Sequence, residues 1–196
     1  LQGLDGNPKT EAVVLKEMTQ ADVVLWVLKA NQSARELDKQ LKDKFDAFYE
    51  DPKNISRKQP IVVTVVNQVD RLKPVEEWQP PYDLDNPSSA KAKIIEQALE
   101  YNQALLNSDI ALPLAIAPDK TQFGLEVLKQ TLIEHIADAN NVQRNRQRLE
   151  AINRGTSVKG QLNKVVKAGK KVAPSALKAA SPKLAEMAIK QVTKKK

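Results

Sequence analysis

The chain of 196 residues has no cysteine, which excludes disulfides, thiolate metal sites and cysteine nucleophiles and suits a reducing compartment. Long apolar runs are missing as well. The longest, VVLWVL at residues 23–28, is far shorter than the roughly 18 residues that a membrane-spanning helix needs. The first ten residues, LQGLDGNPKT, begin without Met and contain no basic or apolar targeting segment. We therefore expect a cytoplasmic protein, and we read the sequence as part of a longer chain.

Glycine is scarce, with six in the chain, and this limits where phosphates could bind. The phosphate loop of nucleotide-binding proteins has the pattern G-x-x-x-x-G-K-[ST], in which backbone N–H groups surround the phosphates. Only Gly155 and Gly160 have this spacing, and they are followed by Gln161 and Leu162 in a stretch of helical pattern. The sequence therefore contains no phosphate loop.

Acidic residues almost disappear toward the end of the chain. Residues 151–196 carry 12 Lys or Arg and one acid, Glu186, a balance of +11. Residues 1–150 carry 19 Lys or Arg against 23 Asp or Glu, a balance of −4. The shift predicts a domain at 1–139 and a basic extension, helical or disordered, at 140–196.

The basic extension has three interpretations that composition leaves open. Residues 158–196 suit a solvated tail, an anionic membrane surface or the phosphates of RNA. The second would place the protein peripherally at the inner membrane. Aromatic residues are absent after Phe123, so this part offers no stacking platforms for single-stranded bases.

Apolar periodicity predicts that helices and strands alternate along the first 139 residues. Ser33 with Glu36 predicts a capping box for the second helix, and Ser88 or Ser89 suits the cap of the third. The predicted helices cover 9–20, 33–49, 89–106 and 124–137, and the predicted strands cover 22–29, 61–66 and 111–118.

The first two strands are nearly continuous in apolar residues, which is typical of parallel strands covered on both faces. Strands of this kind that alternate with helices predict an α/β fold with a layered parallel sheet. In such sheets ligands bind beyond the carboxyl ends of the strands. The segment NQVD, residues 67–70, is predicted at that edge.

A carboxylate fixed at a strand end can distinguish the two purines. Asp70 would accept two parallel hydrogen bonds from the N1–H and N2–H₂ groups of guanine, whereas adenine would leave it desolvated and unpaired. Asn67, three residues earlier, can bond the other base edge or tie neighbouring loops together. By itself the pattern favours a turn, because Asn and Asp are common at strand exits.

Four segments together favour the nucleotide interpretation: Gly3 with Asp5 and Gly6, ADVVLWVLKANQ, IVVTVVNQVD and LAIAPDKTQFGLEVL. In order and spacing they resemble the second half of a Ras-superfamily GTPase of the bacterial Era-like group. That family reads guanine with N-K-x-D and has an S-A-K-like turn before G-L-E-x-L. The resemblance covers about residues 1–137 and implies a three-layer, P-loop GTPase-like parallel sheet, partial here, with about three strands retained.

The resemblance implies a guanine site formed by Asn67, Gln68, Asp70 and Ala117, with the Ala117 N–H on guanine O6. Gly3 matches the Gly of the D-x-x-G element that contacts the γ-phosphate. The implied ligands are GTP or GDP, with Mg²⁺ held by residues outside this sequence. No residue of the chain is assigned to catalysis or to a metal.

Two departures from the family pattern lower the expected affinity and rate. Gln68 replaces the Lys whose stem packs over the base, and Leu4 stands where Ras-like enzymes place a water-orienting Gln. The phosphate loop, switch I and the strand that would pair with residues 22–29 are also missing. Residues 22–29 should then form an open apolar edge that favours self-association. The alternative is a non-enzymatic α/β scaffold whose basic tail docks on a membrane or on RNA.

We expect the isolated chain to bind GTP very weakly and not to hydrolyse it, because in-line attack on the γ-phosphate needs the phosphate loop and its Mg²⁺. The measurement is phosphate release by the purified chain with GTP and Mg²⁺. Turnover above a protein-free control, and lost in Asp70→Ala, would contradict this expectation.

Overall fold

A computed structural model describes residues 6–169, and describes side chains as far as residue 156. A short 3-10 turn, Val69–Arg71, follows the second strand. The other elements are, in order, α1 Pro8–Met18, β1 Val23–Lys29, α2 Glu36–Glu50, β2 Ile61–Asn67, α3 Ala90–Leu106, β3 Ile110–Leu114, α4 Leu125–Glu134 and α5 Ile136–Gly169.

The three strands form one parallel sheet in the order β1-β2-β3. Val23 lies opposite Ile61 in the first pairing, and Val63 lies opposite Ile110 in the second. Helices α2 and α3 make the two crossovers, as parallel neighbours require. The protein is therefore α/β with a small open parallel sheet, which confirms the predicted class.

Helices cover the sheet unequally on its two faces. Side chains of α1, α2 and α3 pack on one face of β1 and β2, in a cluster that includes Val14, Phe45 and Leu106. Leu125 and Leu128 of α4 pack on the opposite face, against buried residues of β2 and β3. Only β2 is buried along both faces, with five consecutive buried residues between its half-buried ends.

Strand β1 differs from the prediction that both faces are covered. Its buried and exposed residues alternate, and Leu25 and Val27 are 43% and 57% exposed. Both lie beside the β2 residues that α4 covers, but α4 packs mainly over β3 and leaves these two side chains exposed. Within residues 6–169, no element pairs with the outer edge of β1, so this apolar strand is an edge strand as expected.

The predicted cap of α2 is wrong, whereas the cap of α3 is confirmed at Ser89. Helix α2 begins three residues after Ser33, and its N-cap is Arg35, whose side chain makes no capping bond. Arg35 is buried, and its guanidinium donates to the Lys29 carbonyl at the end of β1, which holds the chain outside the helix until Glu36. The Ser89 hydroxyl accepts the Ala92 N–H at 3.0 Å.

Two other boundaries are corrected by the structure. β3 ends at Leu114, not at 118, because Ala115 leaves the parallel ladder to pair with Phe123. The predicted helix 124–137 divides at His135, the single residue between the end of α4 at Glu134 and the start of α5 at Ile136. Pro113 is accommodated because β3 is an edge strand, where a missing N–H is tolerated.

The described part of the chain divides into two units, residues 6–145 and residues 146–169, and the division falls within α5. The domain boundary proposed between residues 139 and 140 also falls within this helix and stays a prediction. In the second unit, Glu150 and Arg154 form an ion pair at 3.6 Å along the helix surface. Side chains of the basic segment 158–196 lie outside the described residues, so its assignment to a membrane or RNA is untested.

The open edge of β1 predicts that the chain associates with itself. A charged side chain on the exposed face of β1 should reduce this association. We expect Val27→Lys to lower the associated fraction in sedimentation velocity, because an exposed Lys disfavours edge pairing. Its free energy of unfolding should change by less than about 0.5 kcal/mol, since Val27 is already exposed. Ile55→Lys is the matched control, because Ile55 is 78% exposed and lies in the loop before β2. Equal association of both variants would show that this edge is not the interface.

Candidate functional site

The carboxyl end of β2 turns sharply at Gln68. This residue has φ of +63° and ψ of +37°, a left-handed conformation that is uncommon for a residue with a side chain. Asn67 stabilises the turn, because its Oδ1 accepts the Gln68 N–H at 2.8 Å. The chain then folds back into the 3-10 turn, which buries Val69 and Asp70.

Asp70 places a charge inside this turn. Its side chain is 4% exposed, and Oδ2 lies 3.0 Å from Nζ of Lys120, whose own side chain is 28% exposed. A carboxylate removed from water loses several kcal/mol of hydration unless a cation or hydrogen bonds replace it. Lys120 supplies such a cation from a different loop.

Lys120 lies in the loop that joins β3 to α4. The base of this loop is closed by two backbone hydrogen bonds of 2.9 Å between Ala115 and Phe123. Inside the loop, the Lys120 N–H donates to the Ala117 carbonyl at 3.2 Å. Ala117 and Lys120 therefore belong to one closed turn, and Lys120 connects that turn to Asp70.

Gly124 sets how closely this loop and α4 approach the sheet. It has φ of +82°, and a Cβ atom built on it would lie 1.9 Å from the Pro113 carbonyl oxygen. Any side chain here would push the start of α4 away from β3. The glycine in the G-L-E-x-L segment is thus required by a close backbone contact.

A second lysine, Lys91, holds the backbone that follows Asp70. It lies at the start of α3, is fully buried, and donates to the carbonyl oxygens of Asp70 and Pro74 at 3.1 Å each and to that of Leu72. Burial lowers the pKa of Lys91 below its ordinary value of 10.5, and the nearby charge of Asp70 opposes that shift only in part. The buried ammonium group therefore stabilises the backbone after β2 by binding three of its carbonyl oxygens.

The proline-rich loop between the 3-10 turn and α3 covers the site from one side. Trp78, Tyr82 and Phe123 form an aromatic cluster with ring centroids 5.5 to 6.1 Å apart. Trp78 Nε1 donates to the Thr121 carbonyl at 3.1 Å, and Lys91 Nζ lies 5.6 Å from the centre of the Trp78 ring. These contacts fasten the covering loop to the loop that carries Lys120.

The structure brings four of the five predicted site residues to one edge of the sheet. Asn67, Gln68 and Asp70 form the turn after β2, and Ala117 lies in the neighbouring loop that the Asp70 ion pair joins to it. Gly3 lies outside the described residues. Whether these groups bind a nucleotide stays a prediction.

Sequence reasoning missed three residues of this site. Lys91 could have been found, because it precedes Ile95 by one helical turn and so falls on the apolar side of α3. Lys120 and Trp78 carry no comparable signal. Each contacts a residue more than 40 positions away along the chain, and local patterns do not encode such contacts.

Two cavities lie at other parts of the sheet. One, of about 440 Å³, is at the amino ends of the strands, where it is lined in part by Ser108 and Lys42. Lys42 is buried and its Nζ already binds Asp46 at 2.6 Å. The other, also about 440 Å³, surrounds Arg35 at the end of β1. This second cavity also lies at the carboxyl edge of the sheet, where parallel sheets bind ligands. We place the candidate site at Asp70 because the Asp70–Lys120 ion pair joins the turn after β2 to the loop that contains Ala117.

Comparison with protein-family models, with curated proteins and with solved structures found no match to the chain. Among the described residues, no helix combines the length and the apolar character that crossing a membrane requires. The same part of the chain contains no group of three or more His, Asp or Glu side chains arranged to hold a metal ion.

Lys91→Met should destabilise the protein by about 2–3 kcal/mol, because three carbonyl oxygens lose their buried donor. Urea denaturation is the measurement. Lys93→Met is the matched control, since Lys93 lies on the exposed side of the same helix and should cost less than about 0.5 kcal/mol. Equal costs for the two substitutions would refute the role assigned to Lys91.

The Lys91 pKa also predicts a pH dependence. Because the folded pKa is lower than the unfolded one, the unfolded chain binds more protons between the two values, and stability rises with pH in that window. The free energy of unfolding of the wild type, measured relative to Lys91→Met, should therefore increase as pH approaches 10.5. A difference that stays constant or falls would contradict the pKa direction.

Proposed function

We propose that the chain is the guanine-recognising part of a GTP-binding protein of the bacterial Era-like group. The observation that carries this proposal is the buried Asp70 carboxylate at the carboxyl end of β2, joined to the loop that contains Ala117. A rigid carboxylate at a sheet edge next to a loop of backbone N–H groups suits the flat, polar edge of a purine base.

Hydrogen-bond chemistry assigns a role to each described residue. Asp70 would accept the N1–H and N2–H₂ groups of guanine, and the Ala117 N–H would donate to O6. The Asn67 oxygen already accepts from Gln68, so its amide nitrogen is the group that could donate to the base. Gln68 would lie beside the base and sugar, where it is shorter than the lysine of the family pattern.

The remaining parts of the proposal involve groups that the described residues do not provide. Gly3 is assigned to the γ-phosphate, and Mg²⁺ accompanies the phosphates in this class of protein. A phosphate loop and switch I, supplied by further residues, would be needed to complete the site and allow GTP hydrolysis. The three-strand parallel sheet supports this arrangement, because the base-binding elements of such a fold lie on adjacent strands.

A non-enzymatic scaffold with a basic tail is the second hypothesis for this chain. It would leave the buried Asp70 and its ion pair with a purely structural role. The two hypotheses differ in whether a base binds at Asp70 and whether guanine is preferred over adenine.

Asp70→Asn should abolish guanine preference, because an amide nitrogen facing guanine N1–H repels the group that the carboxylate accepts. The measurement is titration of the ¹⁵N-labelled chain with GDP and with ADP, following the Gln68 and Ala117 amides. We expect GDP to bind at least about tenfold more tightly than ADP in the wild type and about equally in the variant.

Asp85→Asn is the matched control, since it removes one acid from an exposed turn of the proline-rich loop and should leave the GDP preference unchanged. Thermal melts of both variants test whether they fold. A wild type that binds neither nucleotide, or that binds both equally, would contradict the proposed function.

A further inference from the structure

Lys120 occupies the position where the proposed function needs the base edge. The Asp70 side chain is 4% exposed, and the Lys120 ammonium lies 3.0 Å from its Oδ2. A planar base cannot reach both carboxylate oxygens while so little of the group is accessible. The described arrangement is therefore closed to a base at Asp70.

Hydrogen-bonding capacity does not by itself cause this exclusion. A carboxylate has about four lone-pair positions, so one lysine leaves acceptor capacity unused. The obstacle is space, because the Lys120 ammonium lies 3.0 Å from Oδ2 and the Asp70 side chain is only 4% exposed. Opening the site requires the Lys120 head group to move.

Lys120 is placed to make this movement without unfolding the loop. Its loop is closed at the base by the Ala115 and Phe123 hydrogen bonds, and Trp78 holds Thr121 next to it. The Lys120 side chain is 28% exposed, so its flexible stem has a route to solvent while the backbone stays fixed. The Ala117 turn can thus keep its position while the ion pair opens.

We infer that Lys120 acts as an internal competitor at Asp70, closing the base site when it is empty and admitting only a base that can replace its hydrogen bonds. This inference rests on the proposed function. Guanine has two adjacent donors, N1–H and N2–H₂, that can replace the hydrogen bond from the Lys120 ammonium to Asp70. Adenine offers a lone pair at N1, so displacing Lys120 would leave the carboxylate unpaired. Lys120 is therefore a gate on the base site, and the Asp70 carboxylate decides which base can replace the ammonium.

Removing the competitor should strengthen guanine binding. In Lys120→Met the aliphatic stem remains and the ammonium is lost, so GDP no longer has to break the ion pair. Because the Asp70 carboxylate of this pair is buried, the Kd for GDP should fall by at least about fivefold, which corresponds to about 1 kcal/mol. ADP must break the same pair in the wild type, so it should gain by a similar factor in the variant and remain the weaker ligand, because adenine donates no hydrogen bond to Asp70.

The test is the same ¹⁵N titration with GDP and ADP, applied to the full 196-residue chain and to two variants. Lys129→Met is the matched control, since it removes one positive charge from an exposed position on α4 and should not strengthen GDP binding. Weaker or unchanged GDP binding in Lys120→Met, with the wild type still preferring GDP, would overturn the inference and leave the proposed function intact. No GDP binding by either protein would overturn both.

A second measurement avoids any dependence on the folding of Lys120→Met. Acylation of lysines in the wild type, read by mass spectrometry, should be slow at Lys120, faster when GDP is added, and unaffected by ADP. Asp70→Asn should speed acylation of Lys120 without any nucleotide. Slower acylation with GDP would show that Lys120 contacts the nucleotide, and an unchanged rate in Asp70→Asn would show that the ion pair does not protect it. Either result would refute the gate.

Discussion

A carboxylate that lies almost entirely out of water is the constraint on which the candidate site depends. Burying the Asp70 charge is costly unless a cation approaches it, and Lys120 is the side chain that does so. That approach requires the loop after β3 to close against the turn after β2. The loop can close because Gly124 has no Cβ to collide with the Pro113 carbonyl. One buried charge thus determines the positions of two loops and the start of a helix.

The two lysines beside Asp70 have different physical roles. Lys91 is fully buried and binds three backbone carbonyls, so its removal would affect the shape of the turn. Lys120 reaches the carboxylate from a partly exposed position and binds only a side chain, so it can leave without disturbing the backbone. Lys91 is therefore suited to stabilising the turn, and Lys120 is suited to being replaced by a ligand.

The sheet supplies the rigidity that this site needs. β2 is buried on both faces and paired on both edges, so the turn that it carries starts from the best-covered strand of the described fold. β1 has one covered face and one free edge in the described residues. The candidate site therefore follows β2, the most buried strand. The surface that is open to association belongs to β1, the strand beside it.

The sequence by itself determined the α/β alternation, the position of each strand to within a few residues, a serine cap of α3 at residue 88 or 89 and the placement of NQVD at a strand end. These features follow from apolar periodicity and from residues that act within a few positions of themselves. Only the tertiary structure decided that one face of β1 is bare, that α2 starts after Arg35, and that Lys91 and Lys120 converge on Asp70. Each of these depends on which distant element lies opposite, and local residue patterns carry no record of it.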